Sequence, residues 1–191
     1  MVKWDTLWPG GLTFAFDDGP FKPSTDTFLL GGFAAPRPRD RVCDLGAGIG
    51  LLGLLLLGRQ PSIRVTDIDI DPAACALAEE SFAQNGLTGH TVLQADLRRR
   101  QELPPAGSFD MVVSNPPYFA ADSGAVAAGQ RGAARSEVTC TLAELCGAAS
   151  YLLRSGGQLC LVYRAARLAE LMALLRSYKL EPKELQTVQK T

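Results

Sequence analysis

The sequence predicts an α/β fold, a doubly wound and mostly parallel sheet covered by helices on both faces. Three observations carry that expectation. From Arg41 onward, short β-rich runs alternate with segments of helical period, the pattern of strand–helix–strand crossovers. The first run passes through Gly46, Gly48 and Gly50 directly into an apolar helix, as strands do where the crevice of such a sheet takes a ligand. The helices also start and stop at recognisable caps.

Taken in order, strands are predicted at 41–44, 63–68, 90–95, 109–114 and 158–163, each near the usual length of about five or six residues. The apolar run 51–57, broken by Gly53, follows the first strand. Asp71 and Pro72 cap and open the next helix, Leu77, Ala78 and Phe82 give it one apolar face, and Gly86 stops it. Thr141 and Glu144 form a capping box. It opens a helix whose Leu142, Leu145, Cys146, Ala149, Leu152 and Leu153 share a face up to Gly156-Gly157. Leu168, Leu171, Met172, Leu175 and Tyr178 repeat the pattern. These stripes are core packing, since an apolar face needs no ligand to explain it. Segment 119–137 is rich in Ala, Gly and Ser without a period, which makes it a long loop, and long loops are often functional.

Composition narrows the classes of function. At 191 residues with 47% hydrophobic residues the chain suits one globular domain. The longest apolar run falls far short of the roughly 18 residues that cross a bilayer, and the start of the chain lacks the order of a signal peptide, so a cytoplasmic protein is expected. Five cysteines without a C-x-x-C spacing read as buried reduced thiols. A net charge of -1 and a pI near 5.9 argue against gripping nucleic acid over the whole surface. Any such contact must come from local patches.

Chemistry concentrates at the carboxyl ends of the predicted strands. In Asp44-Leu45-Gly46-Ala47-Gly48-Ile49-Gly50 the glycines let the backbone turn sharply and let a ligand approach a helix N-terminus. Alone, such a loop also fits a plain tight turn. About twenty residues on, Asp69 ends the second strand, where a carboxylate can accept both hydroxyls of a ribose. Asp71 is taken up as a cap. Asp96 closes the third strand at the same edge, where an acceptor can meet an adenine amine; a cap or loop role is the plain alternative. The sharpest signal is Asn115-Pro116-Pro117-Tyr118 after the fourth strand. Two prolines stiffen the backbone and remove two amide donors, so the Pro116 carbonyl and the Asn115 side-chain oxygen can project as acceptors beside the flat face of Tyr118. That set suits a planar substrate bearing an NH2 group, stacked for about 1–3 kcal/mol. His90, the only histidine, reads as a strand-edge residue, and no ligand set for a metal is present.

In this order and context, these motifs resemble those of class I S-adenosylmethionine-dependent methyltransferases with an N-P-P-Y site. More closely, the sequence is similar to the tRNA adenine-N6 methyltransferases that act beside the anticodon of a valine tRNA, in the methyltransferase small domain family. Residues 21–31 resemble the family's F-x-x-G-T-D-x-x-L-L-A segment, with Ser24 in place of the usual glycine. The resemblance continues through Ala134-Arg135-Ser136-Glu137 and Leu180-Glu181-Pro182-Lys183.

The resemblance implies a Rossmann-like fold and S-adenosyl-L-methionine as cofactor. It implies cofactor contacts from Asp44, Gly46, Ala47, Gly48 and Gly50, from Asp69, Ile70, Asp96 and Leu97, from Asn115, and from Thr25 and Asp26 in the pocket-lining N-terminal segment. Asn115, Pro116, Pro117 and Tyr118 become the catalytic set. Catalysis then rests on positioning, and no general base is required. Residues 1–40 are expected to be a pocket segment packed on a methyltransferase domain at 41–191. With tRNA as the partner, RNA contacts are expected on the active-site edge from Lys22, Arg98, Arg99, Arg100, Arg131 and Arg135, while Arg37, Arg39 and Arg41 face away. Sheets of this class finish with a sixth strand and an antiparallel seventh. Here 184–189 is the one remaining candidate, so the domain is expected to be incomplete at its C-terminal end, with residues from about 182 poorly anchored.

Other functions remain in view. Glutamine methylation of release factors also presents a planar NH2, but those enzymes carry a helical domain ahead of the cofactor strand, and only 40 residues precede Arg41 here. DNA adenine methylation lacks a region for opening a duplex. A non-catalytic nucleotide-binding module fits poorly with an intact Asn115 and Tyr118.

Overall fold

Strands buried on both sides belong in the middle of a sheet that is covered twice, and the runs around Val42, Val65 and Val112 are of that kind. The computed structural model describes residues 1–19, 23–116 and 140–189. Among the described residues the strands are β1 (Lys3–Thr6), β2 (Thr13–Phe16), β3 (Arg41–Leu45), β4 (Arg64–Asp69), β5 (His90–Gln94), β6 (Phe109–Ser114) and β7 (Leu153–Leu161). The helices are α1 (Thr25–Phe33), α2 (Leu51–Arg59), α3 (Pro72–Gln84), α4 (Leu142–Leu152) and α5 (Leu168–Ser177). The main sheet runs β5-β4-β3-β6-β7, all parallel. The chain moves outward from β3 through β4 to β5, then returns to β6 on the other side, which puts the topological switch point between β3 and β6.

The two faces hold two cores. Val42, Val65, Met111 and Val113 meet α1, α2 and α3 on one side. Cys43, Leu45, Ile68 and Val112 meet α4 and α5 on the other. Every residue from Leu51 to Leu57 is buried, because α2 lies between the sheet and α1, and a helix apolar all round needs cover on every side. Gly31 of α1 sits against Leu52 and Leu55. Arg59, ending α2, donates to the carbonyl of Gly31 and, at 3.3 Å, to that of Ala34 at the end of α1.

The expected caps form. Asp71 accepts from the Ala73 and Ala74 amides, the Thr141–Glu144 capping box closes in both directions, and Gly86 takes φ 62° after α3. One boundary differs. The helix expected to reach Gly156-Gly157 ends at Leu152, because the next residue, buried Leu153, pairs with Phe109 and starts β7 early. The glycines instead serve an irregularity in β7, with Gly156 at φ 75°. The hairpin β1–β2, which was not expected, lies on α3: the Ala15 amide donates to Ser81 Oγ at 2.8 Å, and Asn85 Nδ2 to the Thr13 carbonyl at 2.7 Å. Residues 181–189 form no helix or strand, and Leu185 and Val188 are exposed.

Gly53 illustrates how tightly α2 meets the sheet. A Cβ there would stand 2.5 Å from Asp67 Oδ1 and 3.0 Å from Val65 Cγ1. Gly53→Ala is therefore expected to destabilise by about 1–3 kcal/mol through overpacking, outweighing the roughly 1 kcal/mol that Ala gains over Gly in a helix. With Asp67→Ala alongside, the closest contact is gone and only Val65 Cγ1 remains at 3.0 Å, so the same change should cost clearly less. Urea midpoints of the single and double variants check this; a stabilising Gly53→Ala alone would be incompatible with an Asp67 carboxyl under α2.

Candidate active site

The switch point between β3 and β6 brings the motif residues together. Gly46, Gly48 and Gly50 all have positive φ (77°, 55° and 74°), so the loop from β3 to α2 depends on glycine's freedom. The Gly46 and Ala47 amides donate to the Ile68 carbonyl at 2.8 and 3.1 Å, anchoring the loop to β4. A Cβ at Gly46 would meet nothing within 4 Å, which marks the open side of the loop. At Gly50 it would crowd Ala78, Asp67 and Phe82.

Asp69 ends β4 beside this loop. Its Oδ2 accepts from the Gly48 amide at 2.7 Å and its Oδ1 from the Asp71 amide at 2.9 Å. Each oxygen keeps a lone pair, so further hydroxyl donors can be received. Burial pushes its carboxyl upward while the amides oppose that shift. Next to it lies a cavity of about 260 Å³ lined by Ile70, Gln94, Ala95, Asp96, Arg98, Arg99 and Glu102. Ile70 offers it a 39% exposed apolar side chain. Leu97 is half-buried against the core on the α4 and α5 side.

Asp96 is held more firmly than its sequence suggests. Arg98 grips both carboxylate oxygens at 2.7–3.1 Å, and the Arg98 amide donates to Oδ1 at 3.0 Å. These bonds hold the Asp96 carboxyl below its usual range. Arg99 lies 3.7 Å from Asp96 and 3.0 Å from Glu102. Both arginines, expected to touch RNA, thus have partners at the cavity rim. Arg41 opens β3 at the opposite end of the sheet.

Two carboxyls lie deeper. Asp44 and Asp67 are register partners on β3 and β4, each 1% exposed, beneath the start of α2. Asp44 meets the Gly53 amide, and burial together with Asp69 pushes its carboxyl up to about 8. Both oxygens of Asp67 lack a hydrogen-bond partner among the described residues. Burial first and Asp44 second push its carboxyl well above the usual range. Asp44, expected to touch cofactor, is a floor beneath the loop. Asp67 was missed, although a carboxylate set between Val65 and Ile68 inside a predicted strand was the signal.

Asn115 follows β6 where Ser114 Oγ donates to the Leu45 carbonyl at 2.6 Å, so it stands one strand from the glycine loop. Its Nδ2 donates to Thr27 Oγ1 at 2.9 Å and to Ser24 Oγ at 3.3 Å. Ser24 is the N-cap of α1 with φ −123°, a conformation open to any residue, so replacing the family's glycine costs nothing here. Thr25 and Asp26 occupy the first turn of α1, Thr25 exposed and Asp26 half-buried. Pro116 is buried. Pro117, Tyr118, Lys22, Arg131 and Arg135 lie outside the described residues. His90 stacks on Phe82 at 4.1 Å and makes a 3.1 Å hydrogen bond to the Leu87 carbonyl, a structural role.

An open glycine loop, a carboxylate with acceptor capacity and an adjoining polar cavity together fit a nucleoside-bearing ligand. Among the described residues no helix is long and apolar enough to cross a membrane. Comparison with known proteins agrees with that geometry. The model of the methyltransferase small domain family matches residues 24–180. The tRNA1(Val) (adenine(37)-N6)-methyltransferase of Porphyromonas gingivalis is 34% identical over 86% of this chain and 67% of its own length. The protein of the same name from Parabacteroides distasonis is 33% identical over 87% and 69%. Among solved structures, a predicted O-methyltransferase from Agrobacterium tumefaciens superposes with a TM-score of 0.63 at 26% identity, covering 80% of this chain and 68% of that one.

Proposed function

The chain belongs to the methyltransferase small domain family and is a methyltransferase, and from that premise we propose that it methylates the exocyclic N6 amine of an adenine in tRNA, beside the anticodon. The acceptor named for its relatives, adenine 37 of tRNA1(Val), supports the choice of substrate, and a tRNA acceptor makes the cytoplasm the site of action. The observation that carries the reading is the Asn115 amide, held one strand from the glycine loop with both hydrogens engaged by Ser24 and Thr27.

In this proposal S-adenosylmethionine would be held by Gly46, Ala47, Gly48 and Gly50, by Asp69 at its ribose and by Ile70, Asp96 and Leu97 at its adenine, with Asp44 supporting the loop from below. When bound, it supplies an electrophilic sulfonium methyl whose S–C bond breaks as the C–N bond forms. The chain's own part is positioning. Asn115 Oδ1 and the Pro116 carbonyl accept the two hydrogens of the substrate amine, which turns its lone pair outward and draws the nitrogen toward tetrahedral geometry. The proton released passes to solvent. Tyr118 stacks on the base, Pro117 stiffens the turn, and Thr25 and Asp26 line the pocket mouth. Near-attack geometry of this kind supplies up to roughly 7–11 kcal/mol of barrier lowering. Lys22, Arg131 and Arg135 are the proposed phosphate contacts, with Arg98 and Arg99 secondary because of their acidic partners.

Incubating the protein with tRNA and S-adenosylmethionine, then digesting the RNA and measuring nucleosides by mass spectrometry, should reveal new N6-methyladenosine. A gain of methylglutamine in a release factor, with unmodified tRNA, would instead support the amide-methylating alternative.

A further inference from the structure

An asparagine serves as an acceptor for an incoming amine only when its carbonyl faces the substrate. Its two amide orientations differ by a half-turn, and the flipped one presents NH2 to NH2, a donor facing a donor. Something beyond Asn115 must select the productive orientation.

The start of α1 provides it. Thr27 Oγ1 lies 2.9 Å and Ser24 Oγ 3.3 Å from Asn115 Nδ2. The two hydroxyls are 3.1 Å apart, and Ser24 Oγ also accepts the Thr27 amide at 3.3 Å as the helix N-cap. Thr27 is 8% exposed, so water competes little for its hydroxyl. Two hydroxyls so arranged offer lone pairs to both amide hydrogens. In the flipped orientation, one hydroxyl proton is engaged between Ser24 and Thr27, leaving Oδ1 with one donor where Nδ2 had two acceptors. Neither residue comes from the family's pattern: Ser24 departs from its glycine, and Thr27 occupies an unspecified position.

We propose that Ser24 and Thr27 are positioning residues that lock the Asn115 amide with its carbonyl toward the acceptor amine. This rests on the assignment of Asn115 as an amine-binding group. It makes α1 more than a pocket wall: the chain segment at 24–27 sets the chemical polarity of a side chain 88 residues away.

Thr27→Val keeps the shape and removes the acceptor, Thr27→Ser restores it, and Ser24→Gly removes the second hydroxyl while keeping a residue tolerated at an N-cap. Thr27→Val should lower kcat at least about tenfold while the Kd for S-adenosylmethionine stays within about threefold of the parent. Thr27→Ser should recover most of the rate, and Thr27→Val with Ser24→Gly should fall below either single change. In the unliganded protein, the side-chain NH2 resonances of Asn115, identified by their loss in Asn115→Ala, should shift in Thr27→Val and return in Thr27→Ser. Unchanged kcat and unchanged resonances in Thr27→Val overturn the proposal, as does a rate loss matched by equal losses in cofactor affinity and Tm. The resonances need no substrate. If the parent proves to methylate an amide instead of adenine, the proposed function fails, while the resonances and the kcat contrast on that acceptor still decide the positioning.

Discussion

Asn115→Ala leaves S-adenosylmethionine binding in place and lowers methyl transfer by about 100-fold or more. The expectation follows from where the two tasks sit. Cofactor contacts are proposed on the loop after β3 and on the ends of β4 and β5, and that loop is anchored by backbone bonds to Ile68 that do not involve Asn115. Asn115 joins the other side of the crevice, beyond the Ser114–Leu45 hydrogen bond that ties β6 to β3. Removing its amide deletes an acceptor for the reacting amine and the link to α1, but none of the loop's anchors. The variant and parent are compared in one preparation for tRNA methylation and for cofactor affinity by calorimetry. Turnover within about threefold of the parent would remove Asn115 from the mechanism. Equal losses in binding and turnover would make it a structural residue.

Asp67→Asn raises Tm, and the gain widens as pH rises. An unpartnered carboxamide costs about as much to bury as an unpartnered protonated carboxyl, about 1–3 kcal/mol, so the gain comes from the proton that only the carboxyl must take up on folding, and in a protein of this size each kcal/mol moves Tm by about 2–4 °C. The gain is therefore small near the ordinary value of 3.8 and reaches several degrees by about pH 8. The pH dependence has a definite sign. A carboxyl raised in the folded state keeps a proton that the unfolded chain releases, so the folded state binds more protons and stability falls as pH increases. That contribution is complete below the ordinary value of 3.8 and is lost as pH climbs toward the folded values, about 8 for Asp44 and well above 3.8 for Asp67. The charged neighbours of Asp67 are Asp44 on β3 and Asp69 on its own strand, while α2 presents Gly50 and Gly53 to it. Asp96 and Asp110, held low by Arg98 and Arg154, shift stability the opposite way in acid, equally in parent and variant. Melting curves from about pH 5 to 8 should show the difference growing. Parallel curves would mean that Asp67 does not stay protonated in the fold.

Much of this protein is determined by its sequence alone. The period-2 and period-3.6 runs, the caps at Asp71 and Thr141 and the glycines after β3 set the order of strands and helices, because each signal acts within a few residues. The N-P-P-Y motif and the spacing from Gly46 to Asp69 marked where chemistry is expected for the same reason: those residue types suit the carboxyl ends of parallel strands, whatever surrounds them. The hairpin β1–β2 was less visible, although the turn-forming Pro9-Gly10-Gly11 announces it, because short strands depend on cover from α3. Only the tertiary structure decided what each polar side chain faces. It paired Asp96 with Arg98, seated Asp44 and Asp67 together under α2, and joined Asn115 to Ser24 and Thr27 across 91 and 88 positions of chain. Hydrogen bonds and buried charges depend on ångström-scale distances between strands and helices far apart in sequence, and the packing of α1 and α2 on the sheet sets those distances.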